Sequence, residues 1–168
     1  MIVNADAKGL EWFCAVYLSK DKIGYEEIIN GIDQHKQNQD LFGLPDRDTA
    51  KRFVFRLIYG GSAYSYAMDN MFLDISDDEE FWQDIIDKFY KKYRGVAAWH
   101  ENLMEEAMRF GRITIPTGRT FPFERVRKGR NLVWPRTQIL NYPVQGFGAD
   151  FMVLARHALK RAMWKQEG

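Results

Sequence analysis

Cysteine is almost missing from this chain. Cys14 is the only one among 168 residues, which excludes an internal disulfide and any zinc site built from several cysteines. Long apolar runs are missing too: no stretch of about 20 apolar residues exists, so no membrane span is expected. The N-terminus, MIVNADAKGLEW, lacks a basic region followed by an apolar run, so no signal peptide is expected. No repeat, low-complexity tract or linker divides the sequence. The net charge is only +1, so bulk electrostatics announce no nucleic-acid partner. A soluble, reducing, cytoplasmic setting fits these absences best.

What is present argues for a packed body. The 46% hydrophobic and 15% aromatic content suits a core rather than disorder, and the length suits one domain. Charge is segregated. Asp74–Asp87 holds seven acids and no Lys or Arg, while Arg119–Arg136 holds six basic residues against Glu124. A neutral total therefore hides an acidic lobe and a basic strip that includes Arg125, Arg127, Lys128, Arg130 and Arg136.

Periodicity predicts an α+β, mostly helical fold. Ile2–Val3 opens a short apolar run into Asp6, read as a buried strand ending in a carboxylate. Gly9–Ser19 shows Leu10, Phe13, Cys14, Tyr17 and Leu18 at helical spacing, and Tyr25–Gln39 is helical but broken by Asn30-Gly31. Glu79–Tyr93 and Val96–Phe110 are amphipathic helices. Arg112–Pro116 and Arg119–Phe123 flank Thr117-Gly118 as a β-hairpin, Val126–Asn131 reads as a basic turn, and Gln145–Trp164 carries an apolar stripe through Phe151, Leu154, Ala155, Ala158, Leu159 and Met163.

The most informative segment is DRDTAKRFVFRLIYGG, residues 46–61. Arg47, Lys51, Phe55 and Tyr59 recur every four residues, so on a helix they form one drifting stripe about 18 Å long. Asp46 is a good N-cap, Asp48 complements the helix dipole, and Gly60-Gly61 supplies the stop. Two cations running into two rings suit a ligand with a polyanionic end and a flat aromatic end, such as a nucleoside triphosphate. The same pattern also fits an ordinary amphipathic helix whose rings are core and whose cations are solvated.

Three segments in order carry a resemblance. Asp6-Ala7-Lys8-Gly9-Leu10-Glu11 resembles the first metal-binding motif of family A DNA polymerases, the polymerase I and T7-like group. Arg47 through Gly60 matches their R-x3-K-x3-F/Y-x3-Y-G fingers-helix motif. Leu140–Gly146 resembles the N-x-P-x-Q-G segment that enters a long palm helix. The likeness spans essentially the whole chain and is greatest to phage-type members, which would place the protein in a bacterial host cytoplasm.

The resemblance implies a palm segment at 1–24, fingers at 25–110 inserted into that palm, and a returning palm segment with a small antiparallel sheet at 111–168. It implies template-directed transfer of dNTPs to a primer 3′-hydroxyl on primer-template DNA, with two Mg2+ ions. Asp6 and the backbone carbonyl of Ala7 would hold metal; Asp6 taken alone is equally a helix N-cap. Arg47 and Lys51 would hold the triphosphate, Lys51 also serving as a proton donor to the leaving group. His35, by itself an unremarked polar loop histidine, would contact the phosphates. Phe55 would pack on the sugar, Tyr59 would lie beside the nascent base pair and touch Glu11, and Glu11 would crowd the 2′ position; alone, Glu11 is a solvated helix residue. Arg119, Asn141 and Gln145 would contact DNA.

Departures accompany the likeness. Phe13 stands where an arginine is usual, and Trp12 is bulky beside Glu11. No His-Asp pair occurs in the sequence, whereas family members carry a second catalytic aspartate in a His-Asp-Glu-like motif. The expectation is that this chain does not polymerise alone and requires a complementary polymerase chain with the thumb and second aspartate. Two other classes compete with this reading: a non-catalytic nucleotide- or DNA-binding module, and a helical structural protein.

Overall fold

The structure is a computed structural model that describes Ala7 and residues 9–164; Asp6 and the strand expected at Ile2–Val3 lie outside the described residues. The described chain is mostly helical α+β. Helices α1 (Leu10–Ser19), α2 (Lys22–Ile29), α3 (Gln34–Phe42), α4 (Arg47–Ile58), α5 (Ala63–Ala67), α6 (Glu79–Lys92) and α7 (Arg94–Phe110) precede two small hairpins. These are β1 (Arg112–Thr114) with β2 (Thr120–Pro122), and β3 (Val126–Lys128) with β4 (Asn131–Val133). Helix α8 (Arg136–Trp164) follows. Both hairpins are antiparallel, with Ile113 opposite Phe121 and Arg127 opposite Leu132.

Side-chain caps set the helix starts. Asp46 Oδ1 accepts from the Thr49 N–H at 2.8 Å, and Asp78 does the same for Glu80 at 2.9 Å. Asp21 serves two helices at once. Its Oδ1 accepts from Gly24 N–H at 2.9 Å to start α2, and its Oδ2 accepts from Gly95 and Val96 N–H at 2.7 and 3.2 Å at the start of α7. Residue 95 has to be glycine for this: a Cβ there would come within 2.6 Å of the Asp21 Cα.

The main core is aromatic. Phe53 of α4 packs on Tyr66 at 4.9 Å between ring centroids and on Trp82 at 6.1 Å, and the Tyr66 hydroxyl donates to the Phe53 carbonyl at 2.8 Å. Trp12, only 2% exposed, sets its indole edge-on to Tyr93 at 4.9 Å. Each such ring contributes about 2–3 kcal/mol by burial. A second cluster of Leu103, Ala107, Ile113, Phe123, Ile139 and Leu140 seats the first hairpin between α7 and α8.

Three expectations need correction. The buried side of α1 is Trp12, Cys14, Ala15 and Val16, whereas Phe13 and Tyr17 are exposed. Because α1 packs against α2, α4, α7 and α8, it is enclosed on several sides and has no single stripe. Residues 126–131 are not just a turn but most of a second hairpin. Helix α8 begins at Arg136, nine residues before Gln145, so the Leu140–Gly146 segment lies within it, Pro143 included. Its buried residues, Ile139, Leu140, Pro143, Val144 and Gly146–Gly148, lie between 139 and 148, while Phe151, Leu154 and Leu159 of the expected apolar stripe are exposed. Among the described residues no helix is long and apolar enough to cross a membrane.

Two buried histidines give the fold a pH dependence. His100 on α7 meets the Tyr90 hydroxyl through Nδ1 at 3.0 Å; burial, then the nearby Arg136 charge, push its pKa down to about 3. His35 is pushed down to about 4 by burial and then by Arg47. Both folded values lie below the ordinary 6.5, so between pH 6.5 and 4 the unfolded chain binds protons that the folded chain refuses. Stability is therefore full above about pH 6.5 and falls as pH drops. From His100 alone we expect a loss on the order of 2 kcal/mol between pH 7 and pH 5. Urea unfolding at the two pH values measures it, and equal midpoints would contradict it.

Candidate functional site

A cavity of about 980 Å3 opens between α1, α3, α4 and α8. The stripe predicted on α4 forms one wall: Arg47, Lys51, Phe55 and Tyr59 all line it. Helix α4 buries Ala50, Phe53, Val54, Leu57 and Ile58 in the core, which turns the adjacent stripe outward. Phe55 and Tyr59 are only half-buried, so the rings serve both as packing and as cavity wall.

Ala7, Glu11 of α1, His35 of α3 and Gln145 of α8 also line it. His35 is not a loop residue. It sits in the first turn of α3, buried, with its ring 5.8 Å from that of Phe55. Its Nδ1 is a buried nitrogen without a hydrogen-bond partner among the described residues. The depressed pKa leaves the ring neutral at pH 7, and an anion in the cavity would favour its protonated form.

The cations differ in their freedom. Arg47 donates from Nε to Asp33 Oδ2 at 2.6 Å; this hydrogen bond from Arg47 is the main cause holding the Asp33 carboxyl below the usual carboxylate range. The Lys51 ammonium lies 5.9 Å from the Phe55 ring centroid, and among the described residues no carboxylate pairs with it within 4.0 Å. At the far end, Gln145 donates from Nε2 to the Tyr59 hydroxyl at 2.8 Å. Glu11 acts on Tyr59 through its charge, adding to burial in pushing the phenol up to about 12.

The cavity thus has a cationic end at Arg47 and Lys51, an aromatic middle, and a polar end at Tyr59 and Gln145. Arg119 and Asn141 do not line it. Arg119 is held by Asp150 of α8, with Nε at 3.1 Å from Oδ2, and the Thr117 hydroxyl donates to the same oxygen at 2.6 Å. Asn141 is half-buried on α8 with its Oδ1 unpartnered among the described residues. Gly146 lets β2 approach: a Cβ there would come 2.4 Å from Phe121 Cζ. Sequence reasoning missed Asp33 and Asp150, which pair with arginines 14 and 31 residues away and give no local signal.

The profile of DNA polymerase family A matches residues 1–168. The chain belongs to that family. Family A relatives include DNA polymerase I of Pseudomonas aeruginosa, 27% identical over 99% of this chain and 18% of its own length. The thermostable DNA polymerase I of Thermus aquaticus is 29% identical over 92% of this chain and 19% of its own. The DNA polymerase of Mycobacterium phage D29 is 29% identical over 89% and 24%. The chain therefore spans between about a fifth and a quarter of these relatives, and bacterial and phage members match about equally well. The polymerase domain of Pol1 from M. smegmatis, solved with DNA primer-template and dNTP, superposes with a TM-score of 0.76 over 94% of this chain and 29% of that one, at 20% identity; this likeness establishes the fold.

Magnesium ions of the kind such chemistry uses require several hard oxygen donors. Among the described residues no three His, Cys, Asp or Glu side chains gather to hold a metal ion. Ala7 borders the cavity, and Asp6 lies outside the described residues.

Proposed function

We propose that this chain selects the incoming dNTP for template-directed DNA synthesis. The observation that carries the reading is the convergence of Glu11, His35, Arg47, Lys51, Phe55, Tyr59 and Gln145 on one cavity, from four separate helices. Arg47 and Lys51 take the triphosphate through charge-assisted hydrogen bonds, with His35 beside them. Phe55 packs against the deoxyribose, Tyr59 lies by the nascent base pair, and Glu11 crowds the 2′ position against ribonucleotides. In the reaction the primer 3′-oxygen attacks the α-phosphorus, the bond to the bridging oxygen breaks, and pyrophosphate leaves. Lys51 offsets the charge developing on that leaving group and supplies it a proton.

Asp6 and the Ala7 carbonyl are the donors this chain would offer to magnesium. Asn141, Gln145 and Arg119 would meet primer-template DNA, Arg119 after leaving Asp150. In this reading residues 25–110 are fingers, residues 1–24 and 111–168 are palm, and a complementary polymerase segment supplies the thumb and second aspartate, so the chain is inactive without it.

The test is sugar discrimination in the reconstituted enzyme. Phe55→Tyr places a hydroxyl where a 3′-hydroxyl is missing from a dideoxynucleotide, and we expect chain termination to become at least tenfold more efficient relative to dNTP incorporation. Unchanged termination would remove Phe55 from the sugar. Nucleotide binding without extension would favour a non-catalytic binding module.

A further inference from the structure

Asp33 is one of three carboxylates on the cavity wall, with Glu11 and Glu27, and it is the one bonded to the cationic end at Arg47. Near a triphosphate such a charge is repulsive, so it calls for a compensating task. Its two oxygens are divided between two helices. Oδ1 accepts from the backbone N–H groups of His35 at 3.1 Å and Lys36 at 3.2 Å, capping α3. Oδ2 accepts from Arg47 Nε at 2.6 Å. One side chain thus ties the end of α3 that bears His35 to the end of α4 that bears Arg47.

The edge of the guanidinium that Asp33 uses is informative. Arg47 has donors on Nε and on both terminal nitrogens. Asp33 takes Nε, and Nη1 lies 4.0 Å from Asp48 Oδ1, beyond hydrogen-bond range. Among the described residues the terminal edge, the one that grips phosphate bidentately, has no hydrogen-bond partner and is left for a ligand. The Arg47 side chain is 44% exposed, and an unrestrained arginine so exposed samples many rotamers, which a ligand must then freeze.

Resting on the nucleotide reading above, we infer that Asp33 is a positioning residue for polyphosphate binding: it holds Arg47 by Nε so that the terminal nitrogens are already oriented when a triphosphate arrives, and it fixes His35 beside them. The alternative account, that Asp33 merely opposes anions, predicts the opposite sign. Removing a carboxylate from an anion site tightens binding if charge alone matters, and weakens it if prior orientation matters more.

Asp33→Ser separates the two. Serine is a good N-cap and keeps the start of α3, but it is too short to reach Arg47 Nε. Binding of inorganic tripolyphosphate to the 168-residue chain, followed by calorimetry, is expected to weaken about three- to tenfold. The weakening should vanish in an Arg47→Ala background, and Asp33→Asn, which keeps both a cap and an oxygen for Nε, should recover much of the affinity. In nitrogen-resolved NMR the Arg47 Nε–H should stay protected from solvent exchange when tripolyphosphate is added. Equal or tighter binding by Asp33→Ser overturns the proposal, as does loss of Nε–H protection on ligand addition. A wild-type chain that does not bind tripolyphosphate overturns the nucleotide reading itself, and this proposal with it.

Discussion

Lys51→Ala, in the chain reconstituted with the remainder of a family A polymerase, is expected to lower nucleotide incorporation about 10²–10³-fold. The expectation rests on how the two cations of the stripe are held. Arg47 has a carboxylate partner at 2.6 Å, so part of its charge is already answered. Lys51 stands over Phe55 and, among the described residues, no carboxylate lies within salt-bridge distance. On the proposed reading its charge is available to the phosphates, where negative charge grows as pyrophosphate departs. The loss should therefore fall mainly on kcat, whereas loss of Arg47 should fall mainly on KM. Single-turnover incorporation on a primed template separates the two. A Lys51→Ala variant within tenfold of the parent would place the leaving-group chemistry elsewhere.

The second large effect concerns the support behind the cavity. Glu27 of α2 lines the cavity and has its side chain 5% exposed; its Oε1 lies 2.7 Å from the Lys92 ammonium, itself 17% exposed. Lys92 also donates to Asn38 Oδ1 at 2.8 Å, and the Tyr93 hydroxyl donates to Glu27 Oε2 at 2.9 Å. Burial, then the Glu27 charge, raise the Tyr93 phenol far above its ordinary range, so it stays a donor. Lys92→Met leaves a buried carboxylate without its cation and is expected to cost about 3–5 kcal/mol. Adding Glu27→Gln should recover most of that loss, because the desolvated charge goes with its partner. Urea unfolding of the single and double variants checks this, and a single-variant loss below about 1 kcal/mol would contradict it.

These two effects differ in how visible they were in the chain. The α4 stripe could be read directly, because a helix converts four-residue spacing into one face and Asp46 and Gly60 mark its ends. The ion pairs that set the cavity could not. Glu27 and Lys92 are 65 residues apart, and both are commonplace on helix surfaces. Asp33 caps α3, and its second bond, to Arg47, appears only when α3 packs on α4.

Misreadings had a common physical origin in tertiary packing. Pro143 argues against helix on local grounds and precedes the helix expected from Gln145, yet α8 runs through it. Ile139, Leu140, Pro143, Val144 and Gly146–Gly148 are buried there, and Phe121 needs the space at Gly146. His35 reads as an unremarkable polar residue until the Phe55 ring and α3 enclose it. Trp12 and Phe13, departures from the family pattern, have separate roles: Trp12 fills the core, while Phe13 joins an exposed aromatic group with Tyr17 at 6.3 Å and Phe151 at 5.8 Å.

The central claim is that the cavity beneath α4 seats the incoming nucleotide, and photolabelling tests it most directly. The chain is irradiated with 8-azido-dATP, digested, and the modified peptide identified by mass spectrometry. The account predicts label on residues 47–59 or on the facing turn of α1 around Glu11, with labelling suppressed by tripolyphosphate. Label confined to residues outside the cavity, such as the basic hairpin at 126–133, or label that tripolyphosphate does not displace, would contradict it.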